Sequence, residues 1–312
     1  MTPKVTVVVP TFRRPDGLAR ALRALARQVD PGQAWDVVVV DNGDGRETAA
    51  AFETTVADFP VPASLVSERR AGATYARNAG IAHAAGDIVA FLDDDVVPAP
   101  DWLAHLVEPI VAGRADGTGG RVELDPAVDL PSWLGPDWLG YLAAFDRGVD
   151  EKDLDPDDYV LTANAAFATE RLRAVGGFDE ALGPRAGVPM VNDDVDLCRR
   201  FRAGGGRIRY VPTAAVVHDV PLDRLTPHYL LRRAYAQGRS DWLLDRARNS
   251  ERPLGGAQGI LIHLGRLLAD RAREGLWHGD VAMGAALSVT QVSGFLREAA
   301  AGKLQGRRAT AP

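Results

Sequence analysis

Three short β-branched runs, Val5–Val9, Val37–Val40 and Ile88–Leu92, place the tightest limit on how this chain folds. Each is apolar at successive positions rather than alternate ones, which is the pattern of strands covered on both faces in a parallel sheet. Between them, Leu18, Leu22 and Leu25 recur at helical spacing, and Thr74–Ala84 is rich in good helix formers. The progression is βαβ, so the sequence predicts an α/β fold with a mostly parallel central sheet flanked by helices. Ligands of such sheets bind beyond the carboxyl ends of the strands. The residues that close the strands, Pro10–Arg14, Asp41–Asn42 and Asp93–Asp95, are therefore expected along one edge.

Further along, Gly117–Glu123 reads as another strand, and "DPAVDLPSWLGPDWLGY" as a loop or broken helix. Trp133 and Trp138 in that stretch suit burial, with a stacked sugar ring as the alternative. The acidic run 150–158 reads as a solvated loop, "VLTANAAF" as a strand, and "TERLRAVGG" as a short helix ended by glycine. "NDDVDLCRRFRAGG" reads as a helix whose early acids and later arginines match its dipole. "RIRYVPTAAVVH" supplies one or two strands. Beyond about residue 223 the pattern is helical, ending in a frayed "GKLQGRRATAP".

The third run poses a chemical question. Asp93, Asp94 and Asp95 follow it directly, although adjacent anions repel and lose solvation near a core. A cation resolves the conflict: Mg²⁺ characteristically takes one or two carboxylates together with substrate phosphates. Bound to a diphosphate, such an ion neutralises charge on a departing phosphate, so that only the incoming nucleophile needs a base. The second acidic pair, Asp193-Asp194, opens a helix, where one carboxylate suits a capping role and the other suits a base. Their closeness raises the proton affinity of one if both are desolvated. His218 ends an apolar run much as Asp93 does, and is either structural or a metal ligand. The histidines at 83, 105, 228, 263 and 278 show no ligand spacing. Cys198 is the one cysteine, which excludes an intramolecular disulfide framework; it fits a packing role inside its helix and a reducing compartment.

Taken together, "VVVPTFRRPDGL", "DVVVVDNGD", "AGATYARNAGIAHAAGDIVAFLDDDVVPAPDWL", "TANAAFATERLRAVGGFDEALG" and "NDDVDLCRRFRAGGGRIRYVPTAAVVH" resemble, in order, the family 2 nucleotide-sugar glycosyltransferases. The resemblance implies the Rossmann-like GT-A fold over residues 1–222, with a donor-binding half to about residue 100 and an acceptor-binding half after it, and a helical region over 223–312. It implies that Thr11, Arg14 and Asp41 hold the nucleotide base and ribose, and that Arg77 lines the donor site. Asp93–Asp95 match the DXD motif: Asp93 or Asp94 would hold the ribose, and Asp95 would ligate Mg²⁺ or Mn²⁺ on the diphosphate. His218 matches a position that completes the metal site in relatives, and imidazole suits manganese. Asp194 matches a catalytic base. Asp193 stands where glutamate is usual and Asn192 where glycine is common, leaving open which of the two aspartates meets the acceptor.

The implied reaction is a hexosyltransferase-type single displacement with inversion, from a nucleoside-diphosphate sugar to an acceptor hydroxyl on a glycan, a lipid-linked glycan or a secondary metabolite. Acceptor contacts are expected from Trp133, Trp138, the Gly176-Gly177-Phe178-Asp179 turn and the C-terminal helices. Two alternatives are a haloacid-dehalogenase-like phosphatase, which "FLDDDVV" also suggests and for which Lys152 is the lysine between the acidic clusters, and a noncatalytic nucleotide-sugar sensor. A net charge of −6 argues against a nucleic-acid partner. No window reaches the roughly 20 apolar residues of a membrane span, and the N-terminus lacks a secretory pattern. The expectation is a cytoplasmic protein, with peripheral contact at the inner membrane face left open. "LLRRAYAQGRSDWLL" and "GILIHLGRLLADRA" suit helices packing on their own core, with a homodimer through them as the alternative.

Overall fold

The computed structural model describes residues 3–43, 45–183, 191–248 and 281–309. One compact unit comprises Met1–Pro126, Ala143–Gly187 and Asp193–Asp219; the other comprises Ala127–Leu142, Val188–Asn192 and Val220–Pro312.

The first unit is built on a sheet. Its strands in chain order are β1 (Val5–Thr11), β2 (Trp35–Asp41), β3 (Ala63–Ser67), β4 (Ile88–Leu92), β5 (Val96–Pro98), β6 (Gly117–Leu124), β7 (Lys152–Asp153), β8 (Asn164–Ala168) and β9 (Ile208–His218). They are ordered β3-β2-β1-β4-β8-β6-β9-β5, with β7 on β9. The four strands β3, β2, β1 and β4 run parallel, as the unbroken apolar runs predict. Beyond β4 the sheet is mixed: β8 enters antiparallel between β4 and β6, and β6 pairs β9 in parallel. Every residue of β1 and β4 is buried.

Helices follow the strands they cover. They are α1 (Pro15–Leu25), α2 (Arg46–Val56), α3 (Ala73–His83), α4 (Trp102–Val111), α5 (Thr169–Ala174) and α6 (Asp193–Ala203). Pro15 opens α1, where a missing N–H costs nothing, and Leu18, Leu22 and Leu25 are wholly buried on its inner face. Cys198 is buried in α6, and burial pushes its thiol up to about 12, so it stays protonated as a packing residue.

Two pairings position the site. Thr11 lies opposite Asp41, and Val8 opposite Phe91, so the ends of β1, β2 and β4 fall at one edge. In the antiparallel pair of β5 and β9, Val96 faces His218, and the Asp219 N–H donates to the Asp95 carbonyl at 2.9 Å. This register delivers His218 to Asp95 from 123 residues further along the chain.

Some local expectations are corrected. The run 150–158 is not all loop, because Lys152 and Asp153 pair with Tyr210 and Arg209 of β9. The strand expected from Val160 begins at Asn164, and Thr162 turns its hydroxyl to Asp194 instead.

The second unit contains α7 (Pro227–Arg248) and α8 (Val281–Ala309). Trp242, Phe295 and Ala299 form their apolar contact. The carboxylate of Asp241 accepts hydrogen bonds from Gln237 at 2.8 Å and Gln291 at 2.9 Å, and Tyr141 donates to Gln291 at 2.9 Å. Residues 136–142 form a 3₁₀ turn in which Trp138 is buried against Tyr141, the packing role, while Trp133 is half-buried. The tail expected to fray is helical to Ala309. "GILIHLGRLLADRA", with His263, and also His278, lie outside the described residues. Among the described residues no helix is long and apolar enough to cross a membrane.

Candidate active site

The three carboxylates after β4 divide between two arginines, Asp93 going to Arg77 and Asp94 and Asp95 sharing Arg14. Asp93 accepts both of its bonds from Arg77 Nη2, at 3.0 and 3.2 Å. Asp94 accepts from the Thr11 hydroxyl at 2.7 Å and lies 3.4 Å from Arg14 Nη1. Asp95 accepts from the same Nη1 at 2.6 Å, and its Oδ2 is 3.4 Å from His218 Nε2. The environments separate Asp94 from Asp95. Burial, opposed by the Thr11 hydrogen bond and reinforced by Asp95, pushes Asp94 up to about 6. Burial also acts to raise Asp95, but His218 and Arg14 outweigh it and hold this carboxyl well below the usual range. Of this pair, Asp95 is therefore the carboxylate that keeps its charge.

Arg77 reaches further. Its Nη1 donates to Asp193 Oδ2 at 3.0 Å, so one guanidinium ties the end of β4 to the start of α6. Burial alone would lower its proton affinity; Asp93, Asp193 and Asp194 more than reverse that. Asp193 is buried in this pairing. Asp194 is partly exposed, and one of its oxygens accepts from Thr162 N at 3.3 Å and Thr162 Oγ1 at 2.5 Å. Its Oδ2 has no hydrogen-bond partner among the described residues. Burial first, and then repulsion from Asp193, push Asp194 up to about 7 against the pull of Arg77 and Thr162. The two adjacent aspartates thus differ: one is an enclosed ion-pair partner, the other a reachable group that titrates near neutrality.

All ten residues singled out in the sequence fall in the first unit. Nine of them are joined by hydrogen bonds or ion pairs into groups around Arg14, Arg77 and Thr162. Asp41 sits level with Thr11, and its two oxygens accept from the N–H groups of Gly43 and Gly45 at 2.9 and 3.0 Å, shaping its own loop.

Sequence reasoning gave no role to three residues, although it placed Asn42 at the strand edge. Thr162 orients Asp194. Buried Asn42 donates to the carbonyls of Glu68 and Arg70 at 2.8 and 2.7 Å and accepts from Gly72 N at 2.7 Å, fixing the entry to α3. Asn78 pairs with Phe178 at both backbone polar atoms. Position alone marked two of them, since Asn42 follows Asp41 and Asn78 follows Arg77.

The donor set suits a divalent cation. Asp95 contributes a charged oxygen and His218 a ring nitrogen, converging from β-strand ends that the register holds together. Among the described residues no three acidic, imidazole or thiol groups are clustered as a metal cage; a Mg²⁺ ion characteristically takes only one or two carboxylates from protein. An oxygen and imidazole pair fits Mn²⁺ at least as well as Mg²⁺. Asp93, as the nucleophile of a phosphatase, would have to leave Arg77, and the triplet follows the fourth strand instead of the first.

A parallel sheet edge carrying an acidic triplet, continued by antiparallel β8, defines a GT-A-type protein. Residues 6–161 match the profile described as Glycosyl transferase family 2, and the chain belongs to that family. It is 33% identical over 223 residues to the pre-mycofactocin glycosyltransferase of Mycobacterium tuberculosis, covering 69% of this chain and 42% of that protein. It is 26% identical over 250 residues to the glucosyl-dolichyl phosphate glucuronosyltransferase of Haloferax volcanii, covering 78% and 77%. A mannosyltransferase from Pyrobaculum calidifontis, solved in complex with GDP-Man and Mn²⁺, superposes with a TM-score of 0.60 at 24% identity, covering 97% of this chain and 88% of that one. The chain spans less than half the length of the mycobacterial relative it matches.

Proposed function

We propose that this protein transfers a sugar from a nucleoside-diphosphate sugar to an acceptor hydroxyl by a single displacement with inversion. The observation that carries the proposal is Asp194, an accessible carboxylate with one oxygen held by Thr162, the other without a partner among the described residues, and a proton affinity near neutrality. That is the condition of a general base at physiological pH. Asp193, spent on Arg77, positions the start of α6 rather than meeting the acceptor. Thr11, Arg14, Asp41 and Arg77 bind the donor, with Asp93 or Asp94 on its ribose, and Asp95 with His218 would hold Mg²⁺ or Mn²⁺. When bound, the cation supplies charge neutralisation to the leaving diphosphate, which removes the need for a second carboxylic acid of the glycosidase kind.

Membership of the family supports this reading, as does a structural neighbour solved with a nucleotide sugar and Mn²⁺. The names of the two curated relatives point to unlike acceptors, pre-mycofactocin and glucosyl-dolichyl phosphate, so the donor chemistry is the part that transfers to this chain. The test is a screen of nucleotide sugars with Mn²⁺ or Mg²⁺ in the absence of acceptor, following release of nucleoside diphosphate. At least one donor should be hydrolysed, and Asp194→Asn should slow that hydrolysis by about 10²-fold or more while nucleotide still binds. Wild-type turnover in Asp194→Asn, or equal activity on simple phosphate esters, defeats the proposal.

A further inference from the structure

Arg77 gathers Asp93 and Asp193, yet the guanidinium sits on a long side chain that needs its own support. Its Nε is buried without a hydrogen-bond partner among the described residues, so hydrogen bonds fix only the far end of the fork. One ring packs over the guanidinium, that of Phe178, whose centroid lies 5.6 Å from the Arg77 Cζ. Phe178 is almost completely buried, edge-on to Phe91 of β4 at 5.5 Å.

What holds Phe178 is the residue after Arg77. Asn78 Nδ2 donates to the Phe178 carbonyl at 2.9 Å, and Asn78 Oδ1 accepts from the Phe178 N–H at 2.9 Å. A side-chain amide thus pairs with a backbone residue 100 positions away, as one strand residue pairs with another. The preceding residue is shaped for this approach. Gly177 has φ +66°, and a Cβ there would stand 2.6 Å from Asn78 Oδ1. Neighbouring positions on α3 therefore point to two partners that meet each other: Arg77 to the carboxylates and the ring, Asn78 to the backbone carrying that ring.

We propose that Asn78 is a positioning residue for Arg77: by pairing with both backbone polar groups of Phe178 it fixes the ring that supports the guanidinium, and so fixes the charge beside Asp193 and Asp194. Its consequence for transfer rests on Asp194 being the base; its consequence for electrostatics does not. Among the described residues, the charged groups that act most strongly on Asp194 are Asp193 beside it on α6, Arg77 on α3 and Asp93 after β4, with the Cys198 thiol one helical turn away. Arg77 is the one cation among these described groups, so loosening it raises the proton affinity of Asp194.

The experiment is a pH titration of the full chain labelled with ¹³C at aspartate carboxyls, without substrate, the Asp194 signal being assigned by its loss in Asp194→Asn. Asn78→Ala is expected to move the Asp194 midpoint upward by about half a pH unit or more, part of the effect expected of a nearby opposite charge. Phe178→Leu, which fills the space without a ring, is expected to give a shift of the same sign, and the double variant little more than the larger single shift. Should Asn78→Ala fail to fold, Phe178→Leu decides alone. A lowered melting temperature with an unmoved Asp194 midpoint in the folded variants overturns the proposal, because Asn78 would then hold only the turn. A moved midpoint combined with full activity of Asp194→Asn leaves the positioning role standing and removes Asp194 as the base.

Discussion

Adjacent aspartates on one helix turn acquire different chemistry because one is neutralised by an arginine and the other is not. This difference has a thermodynamic signature separate from catalysis. Asp194 titrates near about 7 in the fold, whereas a carboxyl in an unfolded chain titrates near about 3.9. Between those values the native state keeps a proton that the unfolded state has released, so stability is full below about pH 4 and is lost as pH rises through 7. Asp194→Asn cannot ionise and escapes that loss. Its stability relative to wild type should rise between pH 4 and pH 8 by about 1–4 kcal/mol, measured by denaturant unfolding at several pH values. A pH-independent difference would mean that Asp194 titrates normally. The aspartates themselves were legible in the sequence because they interrupt or follow apolar runs. The roles of Thr162, Asn42 and Asn78 were not, because each acts on groups distant in the chain, at separations of 32, 26 to 30 and 100 residues. No local pattern encodes such a bond.

At the level of elements, legibility followed burial. β1, β2 and β4 are central and announce themselves as apolar runs, whereas β3, whose five residues are all half-buried or exposed, and three-residue β5 carry too little pattern to find. Helix pairing in the second unit was equally hidden, since it depends on what glycine lacks. A Cβ on Gly238 of α7 would lie 1.7 Å from the Gln291 carbonyl oxygen, and one on Gly294 of α8 would lie 2.1 Å from that of Tyr235. Both obstacles are backbone atoms, which cannot rotate away as a side chain can. Gly238→Ala should therefore force the two helices apart and cost about 1–3 kcal/mol, despite the better helix propensity of alanine. Thermal melting would show a fall of several degrees; an unchanged or higher melting temperature would mean that the helices do not approach so closely.

Charge on the whole molecule sets a constraint that no single residue shows. The chain carries a net charge of −6, and the described site brings Asp93, Asp94, Asp95, Asp193 and Asp194 together with the guanidiniums of Arg14 and Arg77. Even with Asp94 and Asp194 raised toward neutrality, these seven described groups carry no surplus of positive charge to attract a diphosphate. A divalent ion at Asp95 and His218 would reverse the local sign, so nucleotide affinity should track the ion. With GDP or UDP as probe, calorimetry should give binding at least about 10-fold tighter in Mn²⁺ than in EDTA, a difference of about 1.4 kcal/mol. Asp95→Asn separates this from simple damage to the site because its effect should change sign. In EDTA the variant has one anion fewer and should bind nucleotide at least as well as wild type, because a like charge beside the diphosphate has been removed. In Mn²⁺ the same variant should lose most of the metal-dependent gain. A uniform loss under both conditions would mean that Asp95 shapes the pocket through Arg14 instead of holding a cation, and the metal assignment would move away from this pair.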